Sequence, residues 1–234
     1  MVKSCKVFLA LGLGAIAIAG SQIPPFGGGS ENLALANERN RVSFAKNETA
    51  FNDIVSGTAL VNALRGGGHV IFFRHVQTEK DYADQADVNL NVNDCSTQRS
   101  LSEAGWQDAR TIGAAFERLN IPVGKVYSSQ YCRAWQTADL AFGQYEKVPG
   151  LNFAPAEEYT DVQIAQMRAG IEPLLMAVPT PGTNTVVIGH DDVFESATGI
   201  YPEPQGIAFI IKPNGLGEFV ILASLTPEEW ALLK

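Results

Sequence analysis

Three short polar stretches hold residue types suited to gripping an oxyanion: Arg74-His75, Ser128-Ser129 with Arg133 close behind, and His190-Asp191-Asp192. A guanidinium is a planar fork that can bind two phosphate oxygens at once. Arg133 falls in the first turn of a helix expected after Ser129, where free N–H groups and the positive end of the helix dipole also suit phosphate. Taken singly, each stretch has a plainer reading. A strand end can satisfy Arg74 and His75 with ordinary hydrogen bonds, and Arg133 can form a surface ion pair. Position is what joins them. Each stretch follows an expected strand, and in open α/β sheets ligands bind outside the carboxyl ends of the strands.

The elements that must position these residues follow from periodicity. Val70-Ile71-Phe72-Phe73 and Thr185-Val186-Val187-Ile188 are continuous apolar runs, as in strands buried on both faces. Lys125 to Tyr127 gives a short strand between them. Phe51, Ile54, Val55, Leu60, Val61 and Leu64 fit one side of a helix that Gly66-Gly67-Gly68 ends. Residues 77–99 are polar and form a long loop. Ser100 and Glu103 have capping-box spacing ahead of a helix carrying Trp106, Ala109, Ile112, Gly113 and Phe116. A helix after Ser129 carries Ala134, Ala138, Leu140 and Ala141, and another spans Thr160 to Ala177 across Pro173. Gly206 to Ile211 and Glu218 to Leu222 read as a hairpin around Pro213-Asn214-Gly215. Thr226 and Pro227 open a terminal helix. Helices alternating with apolar strands predict a three-layer α/β/α sandwich, with a mostly parallel sheet and an antiparallel C-terminal element.

The motifs then acquire a family. Phe73-Arg74-His75-Val76-Gln77-Thr78 resembles the Arg-His-Gly-x-Thr signature of the histidine phosphatase superfamily, the phosphoglycerate-mutase-like fold. Gln98 to Gly105 resembles the segment opening that family's next helix. Ser128 to Ala138 resembles its Ser-Ser-x-x-x-Arg-x-x-x-Thr-Ala motif, and Gly189-His190-Asp191 its second histidine motif. The resemblance spans about residues 68–225. It implies that His75 attacks phosphorus to give a phosphohistidine, with Arg74, Arg133 and His190 on the phosphoryl oxygens and Thr78 among the substrate-binding residues. It implies Asp191 as proton donor, by analogy with the acid-phosphatase branch. Other branches place the acid after the arginine helix, where Glu157 and Glu158 stand. Asp192 either caps the following helix or serves the chemistry. Val76 departs from the family, which usually has Gly there, and a β-branched residue would tighten the loop beside the phosphate. No cofactor and no metal are implied. The competing reading is a protein of the same fold that binds phosphate or a phosphorylated ligand without turning it over.

Bulk composition bounds the rest. A chain of 234 residues that is 46% hydrophobic suits one globular domain. Its net charge of −8 argues against nucleic acid as a partner, while leaving room for a small phosphorylated substrate in a locally basic pocket. Lys3, Lys6, the apolar stretch Val7 to Ala19, and small residues at Ala17, Ala19 and Gly20 read as a cleavable export signal over residues 1–20. The alternative is an uncleaved anchor, which the short apolar stretch disfavours. Residues 21–48 read as a flexible linker and 49–234 as the phosphatase-like domain, exported to a periplasmic or extracellular location with no membrane insertion once the signal is removed. Cys95 and Cys132 would lie where disulfides persist, and either a bridge or two free thiols fits. A cysteine-dependent phosphatase loop is excluded. It needs five residues between Cys and Arg, but Cys95 and Arg99 have three and Cys132 adjoins Arg133. The third histidine, His69, opens a strand and is read as structural or solvent-facing. The export signal disfavours a mutase of cytosolic metabolism.

Overall fold

In the computed structural model, which describes residues 51–80, 89–156 and 158–234, the apolar run after Gly68 forms strand β1, Val70–Arg74, buried along its whole length. Its side chains alternate between two cores. Ile71 and Phe73 pack into one, and Val70 and Phe72 into the other. This is why the run shows no polar alternation: both sheet faces are covered. Each such side chain contributes about 1.5–3 kcal/mol by leaving water.

The elements follow in the order α1 (Gly57–Arg65), β1, α2 (Glu103–Arg118), β2 (Val123–Ser128), α3 (Cys132–Phe142), β3 (Glu146–Lys147), α4 (Asp161–Met176), β4 (Asn184–Gly189), α5 (Asp191–Thr198), β5 (Ala208–Pro213), β6 (Phe219–Leu225) and α6 (Pro227–Leu232). They build one six-stranded sheet in the order β3-β2-β4-β1-β5-β6. β1 to β4 run parallel, while β5 and β6 are antiparallel to their neighbours. Buried residues of α1, α2, α3 and α6 join one core, and those of α4 and α5 the other. The expected three-layer sandwich is therefore what forms. The chain divides into two units, Met1–Glu48 and Thr49–Lys234. The export-signal and linker readings lie outside the described residues. Among the described residues, no helix is long and apolar enough to cross a membrane.

Two local expectations are corrected, and one strand is added. Phe51, Ile54 and Val55 precede α1 instead of belonging to it, because Ser56 stands at the helix N-cap. The Ile54 and Val55 amides donate to the Leu222 carbonyl on β6 at 2.8 and 3.2 Å, so this segment lies along the sheet edge. The cap of α2 is Ser102, whose hydroxyl accepts from the Gly105 amide at 3.0 Å, so Ser100 and Glu103 form no capping box. Gly105 is required there for another reason: a Cβ would collide with the backbone of Gln77. The two-residue β3 is new, and nothing in the apolar pattern announces it.

The terminal helix, outside the resemblance, is part of the core. Thr226 and Glu229 cap it reciprocally. Trp230 is fully buried, with its ring 6.0 Å from Phe73 and 4.9 Å from Phe116. Trp230→Ala should cost about 3–5 kcal/mol in urea unfolding. The indole N–H has no partner among the described residues, so Trp230→Phe should cost much less. Equal losses for both would show that burial of this ring is not what α6 contributes.

Candidate active site

Sheet register brings the polar stretches together. β4 lies between β1 and β2, pairing Arg74 with Gly189 and Ser128 with Ile188. The ladder continues one step past the strands. The His75 amide donates to the Gly189 carbonyl and the Ser129 amide to the Ile188 carbonyl, both at 3.0 Å. His75, Ser129 and His190 thus leave the sheet side by side at the carboxyl ends. The His75 and His190 ring centroids are 5.4 Å apart. Arg74, His75, Arg133 and His190 are all buried.

The hydrogen bonds of His75 define its chemistry. Nδ1 lies 3.0 Å from the Val76 carbonyl oxygen, which can only accept, so the ring hydrogen sits on Nδ1. Nε2 therefore carries the lone pair, and Arg133 donates Nε–H to it at 3.1 Å. Burial pushes the His75 pKa well below its usual value, and the Arg133 guanidinium pushes the same way, as do Arg74 and Arg99. His190 is lowered well below the usual value by burial, then by Arg133 and His75. Burial and the neighbouring guanidiniums thus favour the neutral form of both rings, and a neutral imidazole with its lone pair at a cationic pocket is equipped to be a nucleophile.

His190 is braced from below. Ser129 Oγ lies 2.8 Å from His190 Nε2 and donates to Asn152 Oδ1 at 3.0 Å. The ring packs edge-on against Tyr131 and Phe153. Its Nδ1 is buried with no partner among the described residues, and so is Nε of Arg74. Two such polar atoms at the ends of adjacent strands fit a site that exchanges hydrogen bonds with a ligand.

Arg74 is fixed by charge. NH2 pairs with Asp191 Oδ2 and NH1 with Glu203 Oε2, each at 2.6 Å, and NH1 also donates to the Pro202 carbonyl at 3.0 Å. Asp191 is the expected proton donor, but its oxygens are already engaged. Oδ2 also accepts from the Tyr201 hydroxyl at 2.9 Å, and Oδ1 accepts the Asp192 amide at 3.1 Å. Asp192 does not cap α5; His190 is its N-cap residue, without a side-chain cap. Glu158 is exposed, and Glu157 lies outside the described residues.

Arg99 is a third guanidinium that the motif reading passed over. It is 9% exposed and donates to Thr78 Oγ1 from NH2 at 2.6 Å and from Nε at 3.2 Å. Its charge acts on both histidines. The Thr78 hydroxyl also donates to the Lys80 carbonyl at 2.8 Å, so Thr78 holds Arg99 and has no hydroxyl hydrogen left for a ligand. The place of Arg99 just before the α2 entry was the available signal. Tyr201 and Glu203 carried no comparable signal.

Val76 does not crowd the site. Its side chain is fully buried in the core beneath β1, and its amide donates to Thr137 Oγ1 at 3.2 Å. Thr137 in turn donates to the Arg133 carbonyl at 2.7 Å, tying α3 to the histidine loop. His69 is buried at the opposite end of β1, away from the other two histidines.

Cys95 and Cys132 are joined in a disulfide, with Cα atoms 5.6 Å apart. Cys132 is the first residue of α3, and Gln98 Oε1 accepts its amide at 2.8 Å. The loop bearing Arg99 is therefore clipped to the helix start bearing Arg133. Among the described residues, no group of His, Cys, Asp and Glu could hold a metal ion.

Comparison with known proteins gives a family match over part of the chain and a shared fold. Residues 70–167 match the model of the histidine phosphatase superfamily (branch 1), a span that ends before His190. A candidate α-ribazole-5′-P phosphatase from Escherichia coli shares 14% identity with a TM-score of 0.51, over 69% of this chain and 98% of that one. The protein histidine phosphatase SixA complexed with tungstate shares 16% over 68% and 97%, at a TM-score of 0.49. The phosphoserine phosphatase of Entamoeba histolytica in complex with 3-phosphoglyceric acid shares 15% over 68% and 96%, also at 0.49. No curated protein matches. The chain thus matches the histidine phosphatase superfamily over residues 70–167, and its sheet and flanking helices form the α/β fold shared with the Escherichia coli structure.

Neutral buried histidines make stability depend on pH. The unfolded chain binds protons at His75 and His190 near the ordinary value of 6.5, while the folded protein refuses them. Their contribution to stability is intact above about pH 6.5 and is lost as pH falls below it. Urea midpoints should drop between about pH 7.5 and 5.5, and His190→Asn should flatten that drop in part. His69, also lowered, leaves a remainder. A midpoint unchanged across this range would contradict the neutral assignment. Separately, Cys95→Ser opens a loop of 37 residues, for which chain entropy gives a loss of about 4 kcal/mol; calorimetry of the variant measures it.

Proposed function

We propose that the protein hydrolyses small phosphate monoesters through a phosphohistidine on His75. The observation that carries this is the orientation of His75: Nδ1–H is held by the Val76 carbonyl and Nε2 faces the Arg133 guanidinium. The Nε2 lone pair attacks phosphorus, and Arg133 moves its hydrogen bond from Nε2 to a phosphoryl oxygen. Arg74 Nε and His190 Nδ1 donate to the other oxygens when the Ser129 hydroxyl turns to donate to His190 Nε2. Arg99 adds a third cation beside them. Fixed donors aimed at the phosphoryl oxygens favour the transition state because they need no reorganisation as its charge spreads. Water then releases phosphate from His75.

The setting is proposed to be outside the cytoplasm. The Cys95–Cys132 disulfide supports that reading, since such bonds persist in oxidising compartments, and so does the signal-like composition of residues 1–20. The acidic net charge supports a small phosphorylated substrate over nucleic acid.

His75→Ala should reduce kcat by about 10³-fold or more, with folding unchanged by circular dichroism. A mixture of wild type and labelled substrate quenched in alkali should retain protein-bound phosphate that acid removes, and the variant should retain none. Wild-type turnover in His75→Ala would defeat the proposal. Binding of phosphate by the wild type, with no release from a panel of aryl, sugar and alkyl phosphates, would identify a binding protein instead.

A further inference from the structure

The proposed reaction needs a proton for the departing alkoxide, and the two carboxylates that open α5 are not equivalent. Asp191 points back at β1. One oxygen is shared by Arg74 and Tyr201, and the other accepts a backbone amide of its own helix. For Asp191 to carry a transferable proton, the Arg74 ion pair would have to break, and Arg74 would lose one of the two carboxylates that fix it. Asp192 is one residue further round the first helical turn. Among the described residues, its carboxylate accepts one hydrogen bond, from the Tyr159 hydroxyl to Oδ2 at 2.9 Å. It is part-buried, immediately beyond the phosphate-facing His190, and close enough to Arg74 to feel its charge.

We infer that Asp192 is the general acid and Asp191 the residue that positions Arg74. This rests on the phosphohistidine reading. In the first step the Nε2–P bond forms as the P–O bond to the leaving group breaks. The bond's electron pair stays on the leaving oxygen, which takes the proton of Asp192. In the second step the Asp192 carboxylate takes a proton from the attacking water. The new P–O bond forms, and the N–P electron pair returns to His75. Asp192 ends protonated and His75 neutral, so the cycle closes with one water consumed. The Tyr159 hydroxyl steadies Oδ2 throughout, leaving Oδ1 to exchange the proton.

The surroundings suit a carboxyl that must hold a proton near neutrality and give it up. On its own helix Asp192 faces Asp191 and Glu195. Tyr159 comes from the segment before α4, Arg74 from the end of β1, and Tyr201 from the segment after α5. Arg168 of α4 reaches α5 only at its far end, at the Ser196 carbonyl. Burial, and then the charge of Asp191, push the Asp192 pKa up to about 6. A donor must be protonated before it acts, so rate should fall as pH rises through that value.

The test compares Asp192→Asn and Asp191→Asn on p-nitrophenyl phosphate, whose leaving group needs no proton, and on an alkyl phosphate, whose leaving group does. Asp192→Asn should lose about 10²–10⁴-fold in kcat on the alkyl ester. It should keep most of its turnover of the aryl ester in the first step, and lose the fall in rate above about pH 6. Asp191→Asn should raise KM and lower kcat on both esters alike, because it loosens Arg74. The inference is overturned if Asp192→Asn keeps alkyl turnover and its pH profile. It is equally overturned if the selective loss on alkyl esters appears in Asp191→Asn, Glu157→Gln or Glu158→Gln. Absence of the alkali-stable phosphoenzyme in wild type would instead defeat the underlying mechanism, and is read independently of either variant.

Discussion

A buried guanidinium has to be given counter-charge inside the protein, and Arg74 shows how much of the fold that requirement organises. Its side chain is 3% exposed at the end of the central strand β1. Leaving such a charge uncompensated costs several kcal/mol. Asp191 is supplied by the first turn of α5, and Glu203 by the segment leading to β5. Those two attachments fix where α5 begins and how the chain returns to the sheet. His190 is the residue just before α5, so the ion pair that neutralises Arg74 also sets the second histidine opposite the first. The Nε left over is the part of Arg74 still able to address a ligand.

The same economy governs the imidazoles. Around two neutral rings stand Arg74, Arg99 and Arg133, and each lowers the affinity of His75 for a proton. A protonated histidine could not attack phosphorus, so the cations that would hold a phosphate also favour the form of His75 that the proposed reaction needs. The Val76 carbonyl completes the arrangement by fixing which nitrogen is bare. Val76 itself shows why residue type alone misleads about such a loop. Its backbone serves the site, while its side chain turns into the core, so the bulk expected to narrow the loop is packed in the core instead.

The architecture was legible wherever burial was uniform. β1 and β4 are buried along their whole length and read as unbroken apolar runs. The α4 capping box at Thr160 and Gln163 and the α6 box at Thr226 and Glu229 are local devices with short-range sequence signatures. What failed was legible only through tertiary partners. Residues 51–55 carry helical spacing yet lie along the edge of β6, because the sheet edge offers their amides an acceptor. β3 is two exposed residues paired to β2. At the site, the residues on strand ends were found because strands and motifs are continuous in sequence. Arg99, Tyr159, Tyr201 and Glu203 were missed as partners because their pairing spans long loops. Only the folded chain shows that Thr78 spends its hydroxyl on Arg99.

The disulfide and Gln98 bear on how that loop is held. Tyr131 stands at the N-cap of α3 with no side-chain cap, so this helix lacks the local Ser, Thr or Asp that usually satisfies its first amides. Gln98 supplies the missing acceptor from 34 residues away, and the Cys95–Cys132 bond holds the donor segment in place. A helix capped locally would fix only itself. One capped from the loop fixes the loop as well, and with it Arg99 relative to Arg133. For a pocket whose charges come from three separate stretches of chain, that covalent clip does what a larger core would otherwise have to do: it removes the freedom of one cation to move away from the others.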